Sequence, residues 1–179
     1  VHRQHASVMH FGYDGKKTYT SPVLDAADPK ANDAANWLPK VLVSEARSSG
    51  SQIASGTSFL CTLWVGEVFA DGIKGGTSDD CSGGFRTQWT NAQFAEDNGG
   101  WHRVTGSMVG PRTSSQYNDT TFAVYCNNPP KTGRHHYRLE AREYAIANDG
   151  TEVSGPGGPG AHLAVPDRAH QPVRRVLHA

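Results

Sequence analysis

No run in this sequence stays apolar for the roughly 18 to 20 residues that a membrane-crossing helix needs. The longest near-apolar stretch, Phe59 to Ala70, carries Glu67 and has the length of a strand. A charge bias is missing too: 17 Lys and Arg face 17 Asp and Glu. Phosphate backbones demand clustered positive charge, so general nucleic-acid binding is disfavoured. Charged residues make up only 19% of the chain, against about a quarter in ordinary globular domains. The exposed faces of helical proteins are rich in Glu and Lys, so this shortage argues against a helical fold. No nucleophile elbow or cofactor motif is legible. No cofactor is expected, and any catalytic triad would have to be assembled by the fold.

What remains is a chain of 179 residues with 20 glycines and a hydrophobic fraction of 36%, long enough to bury a core as one domain. Short runs of alternating polarity recur along it, separated by turn residues. Val8–Tyr13 and Lys17–Val23 flank Asp14-Gly15 and read as a hairpin. Residues 25–39 read as a loop, Lys40–Ala46 as a strand, and Ser48–Gly56 as a flexible linker. Ser58–Phe69 is apolar on both faces and should lie centrally in a sheet. The run from Asp71 to Asp80 is turn chemistry throughout. Phe85–Thr90, Trp101–Val109, Thr120–Cys126 and Arg134–Ile146 are further strands, and Ala161–Val165 a last short one. Along the 134–146 run, Tyr137, Leu139 and Ala141 face one way, while His136, Arg138, Glu140 and Arg142 form a wet face.

The pattern predicts an all-β fold: an antiparallel β-sandwich, immunoglobulin-like or jelly roll, with eight or nine short strands and little helix. Residues 1–165 form the domain, and 166–179 a basic tail docked on the domain or a partner. The core should centre on Ser58–Phe69 facing Thr120–Cys126 and Arg134–Ile146. The segment Gly133-Arg-His-His-Tyr137-Arg-Leu-Glu-Ala-Arg-Glu-Tyr144, then a Gly/Pro loop, then His162-Leu-Ala-Val165, resembles the last two strands of an immunoglobulin or fibronectin-III domain. The resemblance implies the sandwich and carries over no functional residue.

Three cysteines, Cys61, Cys81 and Cys126, allow three single bridges. Cys61–Cys126 would leave Cys81 a reactive thiol in an exposed loop, which an oxidising compartment disfavours. If 58–69 and 85–90 form a hairpin centred near residue 76, Cys81 lies about 33 Å out of register with Cys61, beyond the roughly 7 Å a disulfide spans. The expected bridge is therefore Cys81–Cys126.

Nine histidines raise a metal reading, either His2, His5 and His10 together or His135-His136 downstream of Cys126. Cys126 followed by His is similar in order to a cupredoxin copper loop, but the spacing is long and no Met follows. Neighbours on a strand also point to opposite faces, so the metal ligands are left unassigned. Glu140 and Glu143 likewise point apart, so they do not face one substrate. Asn118-Asp119-Thr120 fits the N-glycosylation acceptor pattern.

Four tryptophans supply flat surfaces. Trp89 and Trp101 flank a loop, and Trp101-His102-Arg103 mixes stacking with hydrogen bonding, as sugar and protein binding require. Arg174 and Arg175 lie in Pro172–Leu177, a basic strand candidate able to pair with a neighbouring chain. The leading expectation is a non-enzymatic, secreted interaction protein: a structural subunit, adaptor or coat component that assembles with a protein partner or with itself through its termini. Val1 in place of Met fits a processed secreted chain. The alternatives are a carbohydrate-binding module that takes glycans on its Trp and Tyr residues, and a secreted hydrolase or copper-dependent enzyme.

Overall fold

The computed structural model describes residues 1–48, 56–69, 73–97, 99–124 and 136–160. Two antiparallel sheets pack face to face as a β-sandwich. The first sheet is built from β1 (Ala6–Tyr13), β2 (Thr18–Thr20), β3 (Leu24–Asp25), β4 (Phe59–Phe69), β5 (Ile73–Gly83) and β9 (Tyr117–Val124), in the order β2-β1-β4-β5-β9 with β3 also on β1. The second holds β6 (Phe85–Asp97), β7 (Trp101–Arg103), β8 (Met108–Val109), β10 (Tyr137–Ala147), β11 (Glu152–Ser154) and β12 (Gly158–Pro159), with β10 and β6 at its centre. Twelve strands stand among the described residues where eight or nine were expected, because two- and three-residue pieces line the sheet edges.

Two segments adopt a different secondary structure from the one expected. Most of the run 71–80, expected to be a turn, lies in β5, a central strand hydrogen-bonded on both sides, to β4 and to β9. Its alternation is carried by Gly75, Thr77, Asp79 and Cys81 rather than by large apolar residues. Gly75 is needed there, since a Cβ would meet the Leu139 side chain at 3.1 Å. The chain then crosses to the second sheet through Gly83, whose φ of 104° favours glycine.

The second departure is Lys40–Ala46, read as a strand and found within a helix, α1 (Lys40–Ser48). Leu42, Val43 and Ala46 are buried while Val41 is 71% exposed, a helical spacing rather than a two-residue alternation. The Pro39 carbonyl accepts the Val43 N–H at 3.1 Å, opening the first turn. Two short 3₁₀ turns, Pro29–Asn32 and Ala34–Asn36, precede it, each capped by an aspartate, Asp28 or Asp33. This segment lies over β1 and β4, burying Leu60, Trp64 and Val8. Gly12 lets the helix settle, because a Cβ on it would meet Leu42 Cδ2 at 2.7 Å.

The bridge also differs from expectation. With β4 and β5 as the true hairpin, Cys61 stands opposite Cys81 in register, and the two form the disulfide. The partner of β4 is β5, not the 85–90 run, so no register offset separates the two cysteines. Cys126 lies outside the described residues. β9 shares a sheet with β4, two places along, so of the two segments expected to face β4 only β10 does so across the core. The expected strand 101–109 is two short pieces, each paired to β6. Residues 161–179, with the last expected strand, the tail, Arg174 and Arg175, lie outside the described residues.

Candidate functional site

The long strands β6 and β10 pair residue for residue, so their alternation sorts side chains between two surfaces. Gln88, Thr90, Ala92 and Phe94 turn inward with Ala145, Glu143, Ala141 and Leu139. On the outer surface Trp89, Asn91 and Gln93 stand opposite Tyr144, Arg142 and Glu140. β7 extends this surface. Arg103 pairs with Ala95 and Trp101 with Asp97, both outward positions, whereas His102 pairs with Glu96 and falls on the other side. The fold therefore brings Trp101 and Arg103 together and separates His102 from them.

Between these strands lies an open cleft of about 430 Å³, within the size range of small-ligand sites. Asn91, Gln93, Arg103, Glu140, Arg142 and Tyr144 line it, with the Gly157–Pro159 segment. Its charges are unequal. Glu140 is bound by the Arg138 guanidinium at 3.0 Å and accepts from Gln93 Nε2 at 3.4 Å. Among the described residues no carboxylate pairs with Arg103 or Arg142, which leaves two cationic groups facing one neutralised acid. The Arg142 guanidinium lies close to Gly157, where a Cβ would stand only 3.0 to 3.4 Å from its atoms.

Trp64, Trp89 and Trp101 each have partners within the fold. Trp89 is 3% exposed, stacked on Tyr144 at 5.4 Å and covered by the Arg112 guanidinium at 3.7 Å. It is a platform for its own neighbours rather than for a ligand. Trp101 is half-buried, with Arg138 at 4.4 Å from its ring. Trp64, buried under the helical cover, donates from Nε1 to Asn32 Oδ1 at 2.8 Å.

A second polar cluster lies inside the sandwich, between its two apolar halves. One half is built around Met9, Leu63, Phe94 and Leu139, the other around Phe11, Phe59, Phe85 and Ala145. Here Asp79 Oδ2 accepts from Thr90 Oγ1 at 2.6 Å, and Gln88 Nε2 donates to the carbonyls of Ser115 and Gln116, each at 2.8 Å. Burial raises the Asp79 pKa to about 7, the Asp119 charge adding to it against the Thr90 hydrogen bond. Glu143 is fully buried and pushed well above the carboxylate range, first by burial and then by the charges of Asp79 and Asp80. Its Oε1 lies 2.9 Å from Cys81 Sγ. A disulfide sulfur has no proton to give, so protonated Glu143 is the donor in that contact. The cluster is closed to solvent.

His10 is likewise structural: the Ala31 carbonyl can only accept, so His10 Nε2 donates to it at 2.6 Å and Nδ1 accepts from Thr62 Oγ1 at 2.8 Å. Burial lowers its pKa, and the neutral ring satisfies both bonds. His5 lies 3.4 Å from Glu67, and His135 is outside the described residues. Cys61, Cys81 and Glu143 converge as metal ligands would, but the two sulfurs are bonded to each other. Asn118 sits in β9, not a loop, nearly buried and donating to the Pro111 carbonyl at 3.0 Å.

Of the residues singled out from the sequence only Arg103 lines the cleft; Asn91, Gln93, Arg142 and Tyr144, which line it beside Arg103, were missed. The signal was the wet face of 134–146; what it lacked was the pairing partner. Compared with known proteins, the chain matches no family model, no curated protein and no solved structure.

Proposed function

We propose that this chain is a non-enzymatic extracellular binding domain that takes a carbohydrate on the outer face of its second sheet. The observation that carries the reading is the open cleft on β6, β7 and β10, where amides (Asn91, Gln93), guanidinium groups (Arg103, Arg142) and the Tyr144 ring converge. Sugars present hydroxyl groups in several directions and apolar ring faces. Side-chain amides and guanidinium groups with an aromatic neighbour answer both. The site sits on two long paired strands, which hold its side chains more rigidly than loops would. The buried Cys61–Cys81 disulfide is compatible with secretion.

Assembly through the termini, the other reading of an interaction protein, rests on residues 161–179, which lie outside the described residues. Tryptophan fluorescence across a panel of soluble polysaccharides tests the carbohydrate reading. A saturable change that Gln93→Ala, at the cleft, diminishes is expected. A flat response across the panel, with no binding by calorimetry, counts against it.

A further inference from the structure

We infer that the ligand of this cleft is an acidic polysaccharide, whose carboxylate or sulfate groups are bound by Arg103 and Arg142. The inference rests on the carbohydrate reading and adds the charge of the sugar and its polymeric character.

Three observations lead to it. Of the charged groups lining the cleft, Glu140 already has Arg138 as partner, at 3.0 Å, and the two remaining groups are both cationic. A neutral sugar would leave these guanidinium groups uncompensated, whereas an oxyanion gains charge-assisted hydrogen bonds from each. Arg142 also stands at the wall of the cleft: its guanidinium group lies close to Gly157, where a Cβ would come within 3.0 to 3.4 Å of it.

The register supplies the third. Arg142 pairs with Asn91 on one side of β6, and Arg103 pairs with Ala95 on the other. Strand rise and strand spacing put their Cα atoms roughly 16 Å apart across the cleft. That span lets the two arginines meet acidic groups on different units of a chain. The amides of Asn91 and Gln93, on the strand between them, are placed for the intervening hydroxyl groups.

Calorimetry on the whole chain with matched polymer pairs tests this. Polygalacturonate is compared with its methyl-esterified form, and dextran sulfate with dextran. Tighter binding of the acidic member of either pair is expected, and which pair responds identifies the oxyanion as carboxylate or sulfate. Arg103→Gln and Arg142→Gln should each weaken that binding about tenfold or more. Gly157→Ala should weaken it less, with the folded state confirmed by an unchanged thermal transition. Equal affinity for the neutral and acidic members would overturn the inference and leave the carbohydrate reading standing. So would acidic binding that both glutamine variants retain in full, since the charge would then be read elsewhere. Binding of no polymer would overturn the carbohydrate reading itself.

Discussion

The outer faces of the two sheets have opposite fates. Over β1 and β4, the outer face of the first sheet carries Val8, Leu60 and Trp64 and is covered by residues 24–48. The outer face of the second, over β6 and β10, carries Asn91, Gln93, Glu140 and Arg142 and is left open. Both arrangements follow from side-chain chemistry. An apolar outer face must be shielded from water, and here two 3₁₀ turns and α1 do so. A polar face needs no cover and is free to bind. Even the polar residue under the cover obeys the rule, since His10 meets Thr62 and the Ala31 carbonyl instead of water.

The largest effect expected from this contrast comes from exchanging tryptophans. Trp64→Ala removes a side chain packed under the cover and bonded to Asn32, and should cost about 3 to 5 kcal/mol in urea denaturation. Trp101→Ala, on the open face, should cost no more than about 1 kcal/mol. Similar losses at both positions would break the comparison.

Between the faces lies the interior both sheets share, with Asp79 from the first and Glu143 from the second. The folded-state pKa of Asp79, about 7, is raised above its unfolded value. Its contribution is therefore fully present below about pH 4 and is lost as pH rises to about 7, amounting to roughly 4 kcal/mol across that window. Glu143, also raised, acts with the same sign. His10 acts oppositely: its pKa is lowered, so its contribution is present above about 6.5 and lost as pH falls through the folded value. Denaturation of Asp79→Asn at pH 5 and pH 8 should show a smaller fall toward alkali than the natural chain. An unaltered pH slope would remove Asp79 from the account.

Gly12→Leu tests the cover directly. The new side chain collides with Leu42, so α1 must lift, at about 1 to 3 kcal/mol in thermal or urea unfolding. A neutral result would mean that the helix does not depend on that close approach. The smallest expected effect belongs to the open face. Arg142→Gln should leave stability within about 0.5 kcal/mol, measured by the same denaturation. A larger loss would make this arginine part of the scaffold rather than of a binding surface.

How far the fold could be read in advance depended on where its apolar residues fell. β4 was legible because Phe59, Cys61, Leu63 and Val65 alternate with Leu60 and Trp64, and both sets are buried. β5 was not, because a strand inside a sheet can be held by its two neighbours' backbone bonds, with glycine and small polar residues packing where large ones would clash. α1 was misread because five or six apolar-rich residues fit either period until a packing partner selects one. The cysteine bridge failed with β5, since its register was derived from the wrong hairpin. At the cleft, the wet face of β10 was visible in its alternation of Arg138, Glu140 and Arg142. Nothing in the sequence said that β6 and β7 would set Gln93 and Arg103 beside them.

By itself the sequence determined the class of the fold and the faces of β4 and β10, because alternation and turn chemistry are local properties of neighbouring residues. Which strand pairs with which, which outer face is covered, which cysteines meet and which arginines share a cleft were decided by tertiary structure alone. Each depends on register between segments distant in the chain, as Cys61 with Cys81 and Glu143 with Thr90 show. Register is set by the packing of all elements together.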